Sequence, residues 1–326
     1  MPLLITGATG KVGRHLVAAA LADSARPDLR IRALCHNRAL SPSARVSEVR
    51  GSIASREVVR EAMRDVTHVV HLATCKETPD QVMDVAVKGL FWLLEEMRES
   101  STARQFILIG GDAAVGHFHV AHDGPVTEAT PRRAYTGCYA LSKVLEEAML
   151  EQYYQQYDLN GCCLRAPWIM EKDDFRATLS FGDDVFGAPV WRDLVPAEDA
   201  KTYAANGTVP CLHDAAGRPL KRNFVHVSDL VAAILAAIDN PRARQQLFNI
   251  AMNAPVDYGK VATYLAATRG LDSVRIDSSL HSNWLDNSKA RFLLDWEPAY
   301  DMQKLIEDAW GYQRLPDDPR KIWYPG

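Results

Sequence analysis

The chain lacks any long apolar run: none of its 326 residues falls in a stretch approaching the roughly 18 apolar residues that a bilayer-spanning helix needs. It also lacks an excess of positive charge. Its 37 Lys and Arg stand against 41 Asp and Glu, a formal net charge of −4, which leaves no basic field to hold nucleic acid or an anionic membrane. The six cysteines, at 35, 75, 138, 162, 163 and 211, form no C-x-x-C pair and no spacing of a disulfide framework or zinc site. The opening "PLLITG" has no charged leader pattern, and there is no internal repeat or low-complexity segment. These absences point to a cytoplasmic protein with small-molecule partners. The single sequon, Asn206-Gly207-Thr208, then reads as a turn.

What is present is ordinary globular material, 47% hydrophobic and 24% charged, with a length that favours two lobes. Short apolar runs of strand length ("PLLIT", "LRIRALC", "THVVHLAT", "QFILIGG", "GCCLRA") alternate with amphipathic segments at 11–23, 56–65, 80–99 and 139–157. That alternation predicts an α/β fold, a Rossmann-type doubly wound parallel sheet with a smaller C-terminal substrate-binding lobe. The texture changes after Arg165, where Pro, Gly, Asp and Trp accumulate, and the rhythm returns at "NFVHV", "SDLVAAILAAIDNP" and "QLFNIA". The expected division is a dinucleotide-binding domain over 1–165, with 222–251 returning to it, and a substrate-binding lobe over 166–326.

"LLITGATGKVGRHL" places glycines at 7, 10 and 13 after a predicted strand and at the opening of a helix. Gly7 and Gly10 permit a tight turn and close backbone approach to a pyrophosphate, and Gly13 permits close helix–strand packing. Thr6, Lys11 and Val12 complete the candidate loop. The second strand ends "IRALCHNR", with no carboxylate to hold ribose hydroxyls, and His36 and Arg38 would suit a 2′-phosphate. The cofactor is therefore NAD or NADP, with a lean to NADP.

"CYALSKVLEEA" sets Tyr139 and Lys143 four apart, on one helix face. A free tyrosine titrates about 3 units too high for a base at neutral pH, so roughly 4 kcal/mol of phenolate stabilisation is needed. A neighbouring ammonium supplies much of it.

In its glycine loop and its Tyr139–Lys143 pair the chain resembles the extended short-chain dehydrogenase/reductase family of NAD(P)-dependent sugar and nucleotide-sugar epimerases, dehydratases and dehydrogenases. "DVTHVVHLAT", "RNFVHVSDLVAAI", "FNIA" and "LDNSKARFLLDWEP" are similar to further family segments in the same order, over nearly the whole chain. The resemblance implies Tyr139 as general acid/base, Lys143 as its partner and ribose ligand, Leu72-Ala73-Thr74 beside the cofactor, and hydride transfer at a hydroxyl or keto carbon of a sugar or nucleotide sugar. It also implies a homodimer through the helices at 80–99 and 139–157. Epimerase, dehydrogenase and dehydratase remain open as net reactions, and the rival reading is a catalytically impaired, cofactor-binding regulatory protein of the same fold.

Three stretches depart from the family pattern. Where a hydroxyl residue is usual, the chain reads Gly110-Gly111-Asp112, which makes Asp112 a candidate to orient substrate or take part in catalysis, with Gly111 the alternative position. Ser52 stands where an aspartate commonly meets adenine, and Ala86 and Trp92 replace two asparagines. Beyond Asp112, "GHFHVAH" offers His117, His119 and His122, read as substrate-side or solvated residues with no metal site. His117, Thr136, Arg165, Arg222 and His226 complete the substrate candidates; a guanidinium can grip a phosphate or carboxylate with two bonds. The "DD" pairs at 173, 183 and 317 read as solvated or capping.

Overall fold

A computed structural model describes residues 1–41, 43–183, 189–318 and 320. Seven strands form the central sheet: β1 (Pro2–Thr6), β2 (Arg30–Cys35), β3 (Val46–Arg50), β4 (His68–His71), β5 (Gln105–Gly111), β6 (Gly161–Ala166) and, after four strands outside this sheet, β11 (Gln246–Asn249). Their order across the sheet is β11-β6-β5-β4-β1-β2-β3, and every pairing is parallel. All residues of β5 and β6 are buried, as strands covered by helices on both faces must be. The doubly wound sheet read from the sequence is present, and the order reverses beside β1, which puts a ligand crevice at the carboxyl ends of β1 and β4.

Helices α1 (Lys11–Ala22) and α2 (Arg56–Met63) follow β1 and β3; the Ser55 hydroxyl caps α2 by accepting from the Val58 amide. The segment expected as one helix over 80–99 is three pieces: α3 (Pro79–Val82), a π-turn (Met83–Lys88) and α4 (Gly89–Glu99). At Gly89 a Cβ would come within 2.8 Å of the Ile53 side chain, so the missing side chain lets this helix close on its neighbour. Helix α5 (Cys138–Tyr157) carries Tyr139 and Lys143 and packs against the Met83–Lys88 turn, α4 and β5.

The remaining elements are β7 (Trp168–Met170), α6 (Asp174–Ala177), α7 (Ala197–Asn206), β8 (Val209–His213), β9 (Lys221–Arg222), β10 (Phe224–His226), α8 (Val227–Ala237), β12 (Val256–Asp257), α9 (Tyr258–Arg269), β13 (Ser273–Asp277), α10 (Ser288–Leu294) and α11 (Met302–Gly311). Gly207, in the left-handed region at φ 66°, ends α7, so the sequon lies at a helix terminus.

The hydrophobic interior divides into a core on each face of the sheet and a separate one formed by Met170, Phe175, Trp191, Phe224, Tyr258 and Leu305. The return to the first half begins inside β10: Phe224 packs in the separate core, while Val225, pointing the other way along the strand, packs with Leu3, Ile107 and Leu230. Ala290, Leu294 and Trp296 also join the sheet's core, although the sequence alone grouped them with the C-terminal lobe. Asp229 accounts for this, because its carboxylate accepts from the Ala299 and Tyr300 amides and ties that stretch to α8.

Candidate active site

The glycines form a compact turn between β1 and α1. Gly7 lies at φ +67°, its carbonyl accepts from the Gly10 amide at 3.0 Å, and a Cβ on Gly7 would stand 2.8 Å from the Ala73 nitrogen. At Gly13 a Cβ would be 2.3 Å from the Gly7 oxygen. A cavity of about 270 Å³ opens above this turn and runs to Tyr139 and Lys143. Gly7, Gly10, Lys11, Val12, Gly13, His36, Ser52, Leu72, Ala73 and Thr74 all border it, together with Thr9 and Gly110. The Thr74 hydroxyl, buried in that wall, has no hydrogen-bond partner among the described residues. A glycine cradle, a helix N-terminus and an unanswered hydroxyl along one trough fit a dinucleotide.

Four candidates take other positions. Thr6 is fully buried beneath the cavity: its hydroxyl accepts from the Leu72 and Ala73 amides, at 3.2 Å each, and gives its proton to His71 Nδ1 at 2.7 Å. It therefore shapes the Leu72–Ala73 wall without itself lining the cavity, and burial pushes His71 down to about 3, so the ring is neutral. Arg38 does not border the cavity; its carbonyl accepts from Arg50. Thr136 is exposed and does not border this cavity. Arg165 is buried on β6 beside Gly110, where it gives bonds of 2.9 and 2.8 Å to Glu147, one turn along α5 from Lys143, and one of 3.3 Å to Asn249. It forms a buried ion pair and does not border the cavity that runs to Tyr139.

Lys11 borders the cavity, but its ammonium donates to the Ile169 carbonyl at 3.1 Å and to the Asp174 carboxylate. Asp173 and Asp174, expected to be solvated or capping, are both buried: Asp174 holds Lys11, and Asp173 accepts from Arg176, Arg314 and Arg320. The pair at 183 extends to Asp184, outside the described residues; Asp317 is exposed, and Asp318 pairs with Lys172.

The Tyr139 ring lies under two ammonium groups, Lys76 at 3.9 Å and Lys143 at 5.5 Å from its centroid. Nothing in "TCKETP" singled out Lys76. Lys143 is buried, and both oxygens of the fully buried Glu146 accept from it, at 3.0 and 2.8 Å. Burial opposes the Lys143 charge, but Glu146 and the Tyr139 phenol outweigh it and raise its proton affinity. A Cβ at Gly111 would lie 3.5 Å from the Tyr139 oxygen, an ordinary contact distance, so this end of β5 stands directly beside the phenol.

Asp112 opens a 3-10 turn (Asp112–Val115) at the end of β5 and is buried. One of its oxygens is bonded to His117 Nδ1, while His117 Nε2 lies 3.0 Å from Arg222 Nη2. A guanidinium only donates, so Nε2 must accept; the imidazole is neutral and its Nδ1 proton goes to Asp112. Burial, which lowers the proton affinity of His117 despite the carboxylate, agrees. Arg222 is clasped by aromatic faces, 3.8 Å from the Trp168 centroid and 4.2 Å from that of Phe118. His119 makes tilted ring contacts with Phe118 and Tyr135, and His122 bonds the Val115 carbonyl. His226 lies elsewhere, stacked on Tyr300.

A parallel sheet with a glycine turn at its switch point, and a tyrosine–lysine pair where the trough ends, define a dinucleotide-dependent oxidoreductase. The family model of the NAD dependent epimerase/dehydratase family matches residues 3–170, and the chain belongs to that family. It is an NAD(P)-dependent enzyme working by hydride transfer. A UDP-glucose 4-epimerase of Erwinia amylovora is 25% identical over 96% of this chain and 98% of its own length. One from Azospirillum brasilense is 27% identical over 96% and 92%. Among solved structures, a short-chain dehydrogenase/reductase superfamily protein from Agrobacterium tumefaciens with bound NAD superposes with a TM-score of 0.78 at 23% identity, over 95% of this chain and 96% of that one. No helix among the described residues is long and apolar enough to cross a membrane.

Proposed function

We propose that this enzyme oxidises a hydroxyl-bearing carbon of a sugar or nucleotide sugar to the ketone, and that reduction of the ketone on its other face completes an epimerisation. The observation carrying this reading is the convergence of Tyr139 and Lys143 at the end of the glycine-floored cavity. The names of the curated relatives, UDP-glucose 4-epimerases, support the substrate class and the return of the hydride. A dehydrogenase that releases its reduced cofactor is the second reading.

When bound, the dinucleotide accepts the hydride and gives it back; the chain's residues manage the proton and the geometry. Tyr139 takes the hydroxyl proton, with the Lys143 and Lys76 ammonium groups favouring its phenolate. Asp112, held by His117, accepts a hydrogen bond from a substrate hydroxyl. An ionised carboxylate cannot donate to a developing oxyanion, so it suits the alcohol better than the ketone. Arg222 is the cation that a substrate phosphate or carboxylate meets. Tyr139 beside Lys143 at the trough disfavours the rival regulatory reading, since binding alone does not need the tyrosine.

The absence of a carboxylate at the end of β2, with His36 at the cavity, supports the lean to NADP. The apolar side chains exposed on the two helices, Met83, Phe91, Leu141 and Tyr157, support a homodimer, and six free thiols support a reducing, cytoplasmic setting.

The test is Tyr139→Phe: turnover of a UDP-sugar panel should be lost while dinucleotide binding persists. Cofactor surviving gel filtration, with sugar interconverted and no net absorbance change, identifies the epimerase. A stoichiometric rise at the reduced-cofactor band identifies the dehydrogenase, and turnover by the Phe variant refutes the role of Tyr139.

A further inference from the structure

We propose that Glu146 is a positioning residue of the active site: by gripping the Lys143 ammonium with both oxygens it fixes that group and offsets its field at Tyr139. Glu146 thereby sets the pH at which the tyrosine works as a base. The inference rests on the reading of Tyr139 as the acid/base group.

Three features carry it. Glu146 is fully buried and Lys143 nearly so, and their two bonds of 3.0 and 2.8 Å occupy two of the three ammonium protons. The carboxylate is three residues after the lysine on α5, a spacing that keeps the pair in contact for as long as the helix is intact. The neighbouring acid, Glu147, is already neutralised by its two-bond pairing with Arg165, so Glu146 is the carboxylate that Lys143 must share with Tyr139.

The other groups facing this cluster do not take over the role. From β6 comes the Cys163 thiol, which burial keeps protonated, and from β4 the neutral His71. Lys76, in the loop after β4, lies over the Tyr139 ring and adds to the positive field, with Glu77 following it beside Cys138. Asp112, on the 3-10 turn, is engaged by His117, and on the π-turn packed against α5, Asp84 and Lys88 face each other at 3.5 Å. An ionised Glu146 thus offsets part of the positive charge that faces Tyr139. Removing that negative charge strengthens the pull on the phenolate.

The experiment is the pH dependence of kcat/KM in the oxidation direction for wild type, Glu146→Gln and Glu146→Asp, paired with ultraviolet tyrosinate titration of the cofactor-free proteins against Tyr139→Phe. In Glu146→Gln the acidic limb, and the Tyr139 titration with it, should move down by about one pH unit, a tenfold gain in phenolate fraction below the limb. Glu146→Asp keeps the charge but withdraws it by one methylene, and should move both in the same direction by less. A merely structural role would lower activity or Tm and leave the limb in place. An unmoved or upward-moving limb in either folded variant overturns the proposal, and Glu146→Asp decides if Glu146→Gln does not fold. Turnover by Tyr139→Phe would instead overturn the underlying reading, and the tyrosinate titration, which needs no turnover, keeps the two failures apart.

Discussion

Replacing Asp173 by Asn should loosen the attachment of the C-terminal segment to the phosphate-loop side of the enzyme. The Asp173 carboxylate is 1% exposed and accepts from Arg320 at 2.7 Å, from Arg176 at 3.1 Å and from Arg314. Burial pushes its proton affinity up, but Arg314 and Arg320 pull harder and bring it to about 2 from an ordinary 3.8. At 1.36 kcal/mol per unit, that difference corresponds to roughly 2 kcal/mol of stabilisation. Because the folded group is the stronger acid, this contribution is complete above about pH 4 and fades as the pH falls toward 2. Removing the charge outright also deprives Arg320 and Arg314, whose side chains are only 7% and 17% exposed, of their carboxylate, which raises the expected cost at neutral pH to about 3–5 kcal/mol. Urea unfolding of wild type and Asp173→Asn at pH 7 and pH 3 measures both terms, and hydrogen exchange over 312–318 detects release of the segment alone. The two proteins should differ by several kcal/mol at pH 7 and converge in acid. A variant within about 0.5 kcal/mol of wild type at pH 7, with unchanged exchange, refutes the argument.

Two further outcomes follow from the site. Gly13→Ala drives a Cβ to 2.3 Å from a backbone oxygen, an overlap that no rotamer relieves. Calorimetric titration should show dinucleotide affinity reduced about tenfold to a hundredfold, for a distortion of roughly 1–3 kcal/mol, with the circular dichroism of the fold retained. Asp112→Ser removes the acceptor that His117 orients, and kcat/KM should fall about tenfold or more, the worth of a charged hydrogen bond; a gain would show that the aspartate hinders the chemistry.

The parts of the molecule that could be read from the sequence are those whose partners lie close along the chain. Tyr139 and Lys143 declare their shared face by spacing, and Gly7, Gly10 and Gly13 declare their turn by the strand before and the helix after. Glu146 carries no such signal: in "KVLEEAML" it reads as a surface acid, and only the approach of β5 and β6 buries it. Lys11 finds Asp174 across 163 positions, and Thr6 finds His71 across 65, so neither partnership could be seen in advance. Arg165 was within reach, because a buried strand arginine needs a carboxylate and Glu147 lies on the helix before it.

The divided return at Phe224 and Val225 bears on how the protein is made. The sheet's core is not finished when β6 leaves the ribosome: it still needs α8, Phe248 of β11 and, near the end, Trp296. Closure of the face that carries Leu3, Ile107 and Leu230 must therefore wait for nearly the whole chain, leaving β6 as an open edge in the meantime, whereas the buried residues of the opposite face all precede the end of β6. What looks like an N-terminal domain in sequence is, for the growing polypeptide, one of the last parts to close.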